Sequence, residues 1–134
     1  MGDLKGGGST ITQQLAKLLF PRKKLNKFEF VLRKFKEWII ATELERNYTK
    51  EEILSMYLNK FDFLNNAVGI NSAAQVYFSK TTDQLELHES AMLVGMAKNP
   101  SLFNPIRRPD KVLKRRAVVL YQMFKNNYIS QADF

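Results

Sequence analysis

The sequence predicts an all-α protein, on three observations. Apolar residues recur at three- and four-residue spacing along most of the chain. Hydroxyl residues followed three positions later by an amide or carboxylate mark capped helix starts. No two alternating apolar and polar runs meet at a tight turn, so no strand pairing is expected.

The first helix is expected from about Thr10 to Phe20. Thr10 and Gln13 form its capping box, Ile11, Leu15 and Leu18 its apolar stripe, and Thr10, Gln13, Gln14 and Lys17 its other side. Pro21 stops it ahead of a basic loop, Arg22-Lys-Lys24. The second helix spans roughly Lys27 to Arg46, with Phe28, Val31, Leu32, Phe35, Trp38, Ile39 and Thr42 at core spacing. Asn47-Tyr48 ends it. Thr49 opens the third, with Glu52 completing a box and Ile53, Leu54, Tyr57, Leu58 and Phe61 facing inward.

Asn65-Asn66-Ala-Val-Gly69 reads as a turn. A short helix of small residues comes next, from about Ile70 to Phe78. Another covers roughly Leu85 to Ala97, with Leu85, Glu89, Met92, Leu93 and Met96 in register. Asn99 to Pro109 holds three prolines and is expected to be irregular. Asp110 is expected to cap a last helix to about Asn126, with Val112, Leu113, Ala117, Leu120 and Phe124 inward. Ser130 and Asp133 have the spacing of one more box.

The length of 134 residues suits one domain with one modest core, so a single domain over residues 1–134 is expected. An apolar fraction of 45% excludes wholesale disorder. Lys and Arg number 21 against 13 Asp and Glu, a net charge of +8 that calls for an anionic partner: nucleic acid, an acidic membrane surface or a phosphorylated small molecule. There is no cysteine, which excludes a disulfide framework and a thiolate metal site. No apolar run reaches the ~18–20 residues that span a bilayer.

Gly6 to Lys17 concentrates the chemistry. A Gly run leads into a helix whose first turns carry hydroxyls, two adjacent carboxamides and a lysine, donors that suit an anionic, oxygen-rich ligand at the positive end of a helix dipole. The same pattern also describes a linker before an ordinary amphipathic helix. Arg33 and Glu37 lie one helical turn apart and can pair. Glu37 heads an apolar side continued by Ile40, Ala41 and Leu44, so it reads either as a solvated ion pair or as a partly buried acid beside a phosphate site. Arg22, Lys23, Lys24, Lys27, Arg33, Lys34 and Lys36 face one acid, Glu29, with aromatics interleaved. That run reads as a solvated basic face, a patch for phosphate or anionic lipid, or a nucleic-acid surface. Lys111, Lys114, Arg115 and Arg116 read as solvent-facing helix surface. His88 is the single histidine and founds neither a metal cluster nor a Ser/His/Asp triad.

Gly7-Gly-Ser-Thr-Ile-Thr-Gln-Gln-Leu-Ala-Lys17 resembles the second motif of the peptidoglycan glycosyltransferases of family 51, the transglycosylase domains of class A penicillin-binding proteins and their monofunctional relatives. Arg33-Lys-Phe-Lys-Glu37, running on through Ala41 to Leu44-Glu45, is similar to the third motif, and Lys50-Glu-Glu-Ile-Leu-Ser-Met-Tyr-Leu-Asn59 to the fourth. Gly69-Ile70, Ala73-Ala74 and Tyr77-Phe78 resemble the family's stretch between the fourth and fifth motifs. Glu89 to Gly95, Lys98-Asn-Pro-Ser101 and Asn104-Pro105 resemble the fifth. The likeness covers about residues 6–128. Two stretches depart from it: no arginine stands around Glu29 where many relatives carry one, and Phe61 to Asn66 differs from the commoner sequence.

The resemblance implies a lysozyme-like helical domain with a large lobe and a smaller membrane-facing jaw, incomplete here at its N-terminus. It implies polymerisation of lipid II, with undecaprenyl pyrophosphate leaving and a glutamate acting as general base on the acceptor sugar's 4-hydroxyl. That base belongs to the first motif, upstream of the Gly run, so the chain is expected to lack it and to bind lipid II analogues or moenomycin-like phosphoglycolipids weakly without polymerising. The second family glutamate falls on Glu37, and the phosphate contacts fall on Gln13, Gln14, Lys17, Arg33 and Lys98, with the Thr10 hydroxyl beside them. A divalent cation, Mg or Mn, is implied as an assistant. The implied setting is the outer face of the cytoplasmic membrane in a bacterial envelope, with an anionic membrane surface and the growing glycan as partners and a transpeptidase domain in the parent chain. No nucleic acid is expected. The rivals are a non-enzymatic basic helical module for nucleic acid or anionic membrane, and a lysozyme-like hydrolase, which needs paired carboxylates where Glu37 stands as the one candidate.

Overall fold

A computed structural model describes residues 10–19 and 27–134. The Gly run, Phe20, Pro21 and the basic loop at 22–24 lie outside the described residues, as does the Lys27 side chain. The described residues form six α-helices: α1 (Ile11–Leu18), α2 (Lys27–Asn47), α3 (Lys50–Lys60), α4 (Ile70–Phe78), α5 (Leu87–Ala97) and α6 (Pro109–Lys125). Among them no strand occurs, and the one extended pairing is an isolated bridge between Asp62 and Val68. None of the described helices is long and apolar enough to cross a membrane. The chain divides into two compact units, Met1–Lys60 and Phe61–Phe134.

In the first unit α1 packs on both α2 and α3. Thr12, Leu15 and Ala16 are its buried residues. Ile53 and Tyr57 answer from α3. From α2 the buried residues are Glu37 and Ala41. The expected core stripe of α2 is a correction: Phe28 is 72% exposed, Trp38 and Ile39 63%, and Val31, Leu32 and Phe35 are also exposed. The reason is geometric. An α1 of 8 residues covers a narrow strip of the 21-residue α2, and the short Ala41 side lets it approach. On α3, Leu54 is likewise exposed and the helix ends at Lys60, short of Phe61.

The second unit rests mainly on α5 against α6. Phe63, Leu93 and Met96 are fully enclosed, and burial of side chains this large contributes ~1.5–3 kcal/mol each. Between Phe61 and Gly69 the backbone doubles back. Leu64, Asn65 and Asn66 all take positive φ (65°, 52° and 64°), a conformation Asn tolerates and Leu does not favour. Side chains hold the corner: Asp62 Oδ1 accepts from the Leu64 N–H at 2.8 Å, and the Tyr77 hydroxyl donates to the Phe63 carbonyl at 2.7 Å. Gly69, at φ 85°, then caps α4.

Three boundaries differ from the sequence reading. The helix expected from Leu85 begins at Leu87, because Thr81–Gln84 closes its own capping box as a 3-10 turn and Glu86 caps α5. The loop expected to reach Pro109 ends at Arg108, since Pro109 takes the first helical position, where its missing N–H costs nothing. Ser130 and Asp133 make the expected hydrogen bonds, but they close a turn rather than open a helix. The inward face of α6 also shifts: Val112 and Val119 are buried, whereas Leu113 and Ala117 are exposed. Arg115, expected in solvent, instead lies 5.8 Å over the Phe103 ring, with Nε buried and unpartnered among the described residues.

Candidate active site around Glu37

An α1 this short needs help at its N-terminus, where backbone N–H groups lack partners. Thr10 supplies it. Its hydroxyl accepts from the Gln13 N–H at 3.2 Å, and the Gln13 carboxamide oxygen accepts from the Thr10 N–H at 3.3 Å. Gln14 faces α3, where its Oε1 accepts from the Tyr57 hydroxyl at 3.1 Å. Tyr57 is buried, and that burial pushes its phenol above the ordinary value of 10.0. Lys17 is exposed and makes no ion pair among the described residues.

The charged centre of the unit is on α2. Glu37 is 4% exposed. Arg33, one turn before it, donates from Nε to Oε1 at 3.2 Å. Lys34 donates from Nζ to Oε2 at 2.8 Å. Each carboxylate oxygen therefore has its own cation, and the Lys34 contact has the short geometry of a charge-assisted bond while the Arg33 contact is longer. Arg33 keeps a donor in reserve: its Nη2 is buried and has no partner among the described residues. A guanidinium with one nitrogen on a carboxylate and another unspent suits a second anion.

Thr10 and Gln13 are thus bound to each other, Gln14 to α3, and Arg33 with Lys34 to Glu37. Lys98 belongs to the second unit, where it is the exposed C-cap residue of α5. A groove of about 570 Å³ in the first unit, lined by Ile11, Tyr48, Ile53 and Leu54 with Glu45 and Lys50, includes none of these residues. A recess of about 280 Å³ along α2 takes in Lys34 with Phe30, Val31, Phe35 and Trp38. The part played by Lys34 was missed by sequence reasoning, although its place three residues before Glu37 was a usable signal. Tyr57 was expected only as core, and nothing in the sequence ties it to Gln14.

Among the described residues no three His, Cys, Asp or Glu side chains gather into a metal site. Glu37 already has a cation on each oxygen, so these residues do not present a ready seat for Mg or Mn. His88 lies 3.5 Å from Glu86 on the surface of the second unit.

The transglycosylase family profile matches residues 1–124. The chain belongs to the transglycosylase family. It is 46% identical over 133 residues to penicillin-binding protein 1A of Escherichia coli, covering 99% of this chain and 15% of that protein. Penicillin-binding protein 1A of Aquifex aeolicus is 41% identical over 133 residues, 99% of this chain and 18% of its own length. Penicillin-binding protein 1F of Bacillus subtilis is 46% identical over 127 residues, 95% and 17% respectively. The chain therefore spans less than a fifth of the length of these relatives. Transglycosylase membership agrees with the helical, lysozyme-like architecture expected from the sequence, and it does not support a basic nucleic-acid module.

Proposed function

We propose that this chain is the diphosphate-holding part of a peptidoglycan glycosyltransferase that extends glycan from lipid II. The acceptor sugar's 4-hydroxyl oxygen bonds to C1 of the donor sugar. The bond from C1 to the diphosphate breaks, and undecaprenyl pyrophosphate leaves with the electron pair. The hydroxyl proton passes to a general base, a step worth ~10²–10⁴-fold, which we assign to no residue of this chain. Negative charge grows on the departing diphosphate, and preorganised donors aimed there are each worth ~10²–10³-fold in rate.

Glu37 with Arg33 and Lys34 is the observation that carries the reading, because it leaves a buried guanidinium nitrogen unspent. Gln13, Gln14 and Lys17 are assigned to the same ligand through the family's motifs. Glu37 orients Arg33 rather than taking a proton. The exposed apolar stripe of α2 and the charge of +8 fit an anionic membrane, as at the outer face of the cytoplasmic membrane. Any Mg or Mn would accompany the diphosphate rather than sit among these side chains.

The test is binding of a moenomycin-like phosphoglycolipid to the purified chain, read by fluorescence of its one tryptophan, Trp38. Arg33→Ala is expected to weaken binding by about tenfold or more, the size of a lost charge-assisted contact. Unchanged affinity in that variant, or stronger binding to duplex DNA with a steep salt dependence, overturns the reading.

A further inference from the structure

We propose that Lys34 is a positioning residue that keeps Arg33 charged toward the diphosphate by cancelling Glu37. The inference rests on the functional reading just given and adds a residue to it. Arg33 alone with Glu37 would be a neutral pair: +1 and −1 sum to zero. An arriving diphosphate would then meet, beside the guanidinium, a carboxylate that repels it. With Lys34 on the second oxygen at 2.8 Å, the three groups sum to +1, and that charge remains on offer.

Burial orders the three groups in the sense this requires. The Glu37 side chain is 6% exposed, Arg33 21% and Lys34 48%. The anion lies deepest, and the two cations lie nearer solvent. Lys34 lines one recess with Phe30, Val31, Phe35 and Trp38, so its stem borders apolar side chains while its ammonium reaches Glu37. Its bond to Oε2 leaves Arg33 only Oε1 to satisfy, through Nε, and frees the guanidinium edge that carries Nη2.

A direct ligand contact by Lys34 and this indirect role make opposite predictions once Glu37 is neutral. The experiment is calorimetric titration of the 134-residue chain with inorganic pyrophosphate at low ionic strength. Lys34→Met is expected to weaken binding by about tenfold, and Lys34→Arg to restore it to within about threefold of the parent. In a Glu37→Gln background the same Lys34→Met change is expected to cost less than about threefold, because no second carboxylate oxygen remains for Lys34 to hold away from Arg33 and only one half-exposed, screened charge is lost. Lys34→Gln is the second neutral variant with the same expectation, and helicity and thermal midpoint of each variant establish that it folds. A loss of equal size with Glu37 or with Gln at that position overturns the inference, as does no loss in either background. Failure of the unsubstituted chain to bind pyrophosphate at all overturns the functional reading as well, so the two failures are distinct.

Discussion

Gly95→Ala probes the tightest helix contact in the second unit. Gly95 lies within α5, buried against α6. A Cβ built there would sit 3.1 Å from Arg115 Cγ, with Val119 Cγ2 at 3.8 Å and the Arg115 carbonyl carbon at 3.9 Å. The last two are ordinary contacts, so Arg115 alone must give way, by a few tenths of an ångström. Its Cγ is near the fixed end of the side chain, and its far end is committed to the Phe103 ring with Nε enclosed. Helix propensity favours Ala over Gly by ~1 kcal/mol. Overpacking costs ~1–3 kcal/mol, and disturbing the cation–π contact adds ~0.5–1 kcal/mol. The net expectation is destabilisation by ~0.5–3 kcal/mol. The same substitution in an Arg115→Ala background meets no Cγ and is expected to stabilise by up to ~1 kcal/mol. Urea unfolding of the four chains in this cycle reads both numbers. If Gly95→Ala has the same effect with and without the Arg115 side chain, the steric reasoning is wrong.

Two further outcomes concern charge and surface. The Glu86 N–H, then Lys80, hold Glu89 below its ordinary 4.5, while Glu89 and Glu86 raise Lys80 above 10.5. The Glu89 contribution is therefore complete above its ordinary value and lost as pH falls through the lowered one, and the Lys80 contribution is lost as pH rises through its raised one. Comparing urea midpoints at neutral pH and at about pH 3, Glu89→Gln is expected to be less stable than the parent at neutral pH and to lose less on acidification. On α2, Phe35→Ser with Ile39→Ser is expected to change stability by less than ~0.5 kcal/mol while reducing partition onto anionic vesicles by about tenfold, read by the blue shift of Trp38. A large loss of stability would mean that the stripe is core after all.

Local chemistry made much of this fold legible. The Thr10–Gln13 and Thr49–Glu52 boxes form as expected, because each needs only residues three apart. The Arg33–Glu37 pair forms for the same reason. What the sequence could not supply is which neighbour covers which face. Phe28, Phe35 and Trp38 have core spacing, yet spacing is blind to the shortness of α1, which leaves them uncovered. Arg115 looked like surface because a charged residue on a helix usually is, and Gly95 with Phe103, twelve or more residues away, made room for it. The paired oxygens of Glu37 were half legible: the partner four residues back was expected, and the one three back was not.

The brevity of α1 ties affinity to cohesion. A helix of 8 residues is too short to persist alone in water, where isolated helices need ~12–15 residues to be even marginal. Thr10, Gln13, Gln14 and Lys17 therefore keep their arrangement only while Leu15 and Ala16 stay enclosed by α2 and α3. Any ligand gripping those side chains would raise the melting temperature of the first unit by mass action. By the same linkage, a cavity opened beneath Leu15 would surface as weakened recognition, with no residue that touches the ligand having changed.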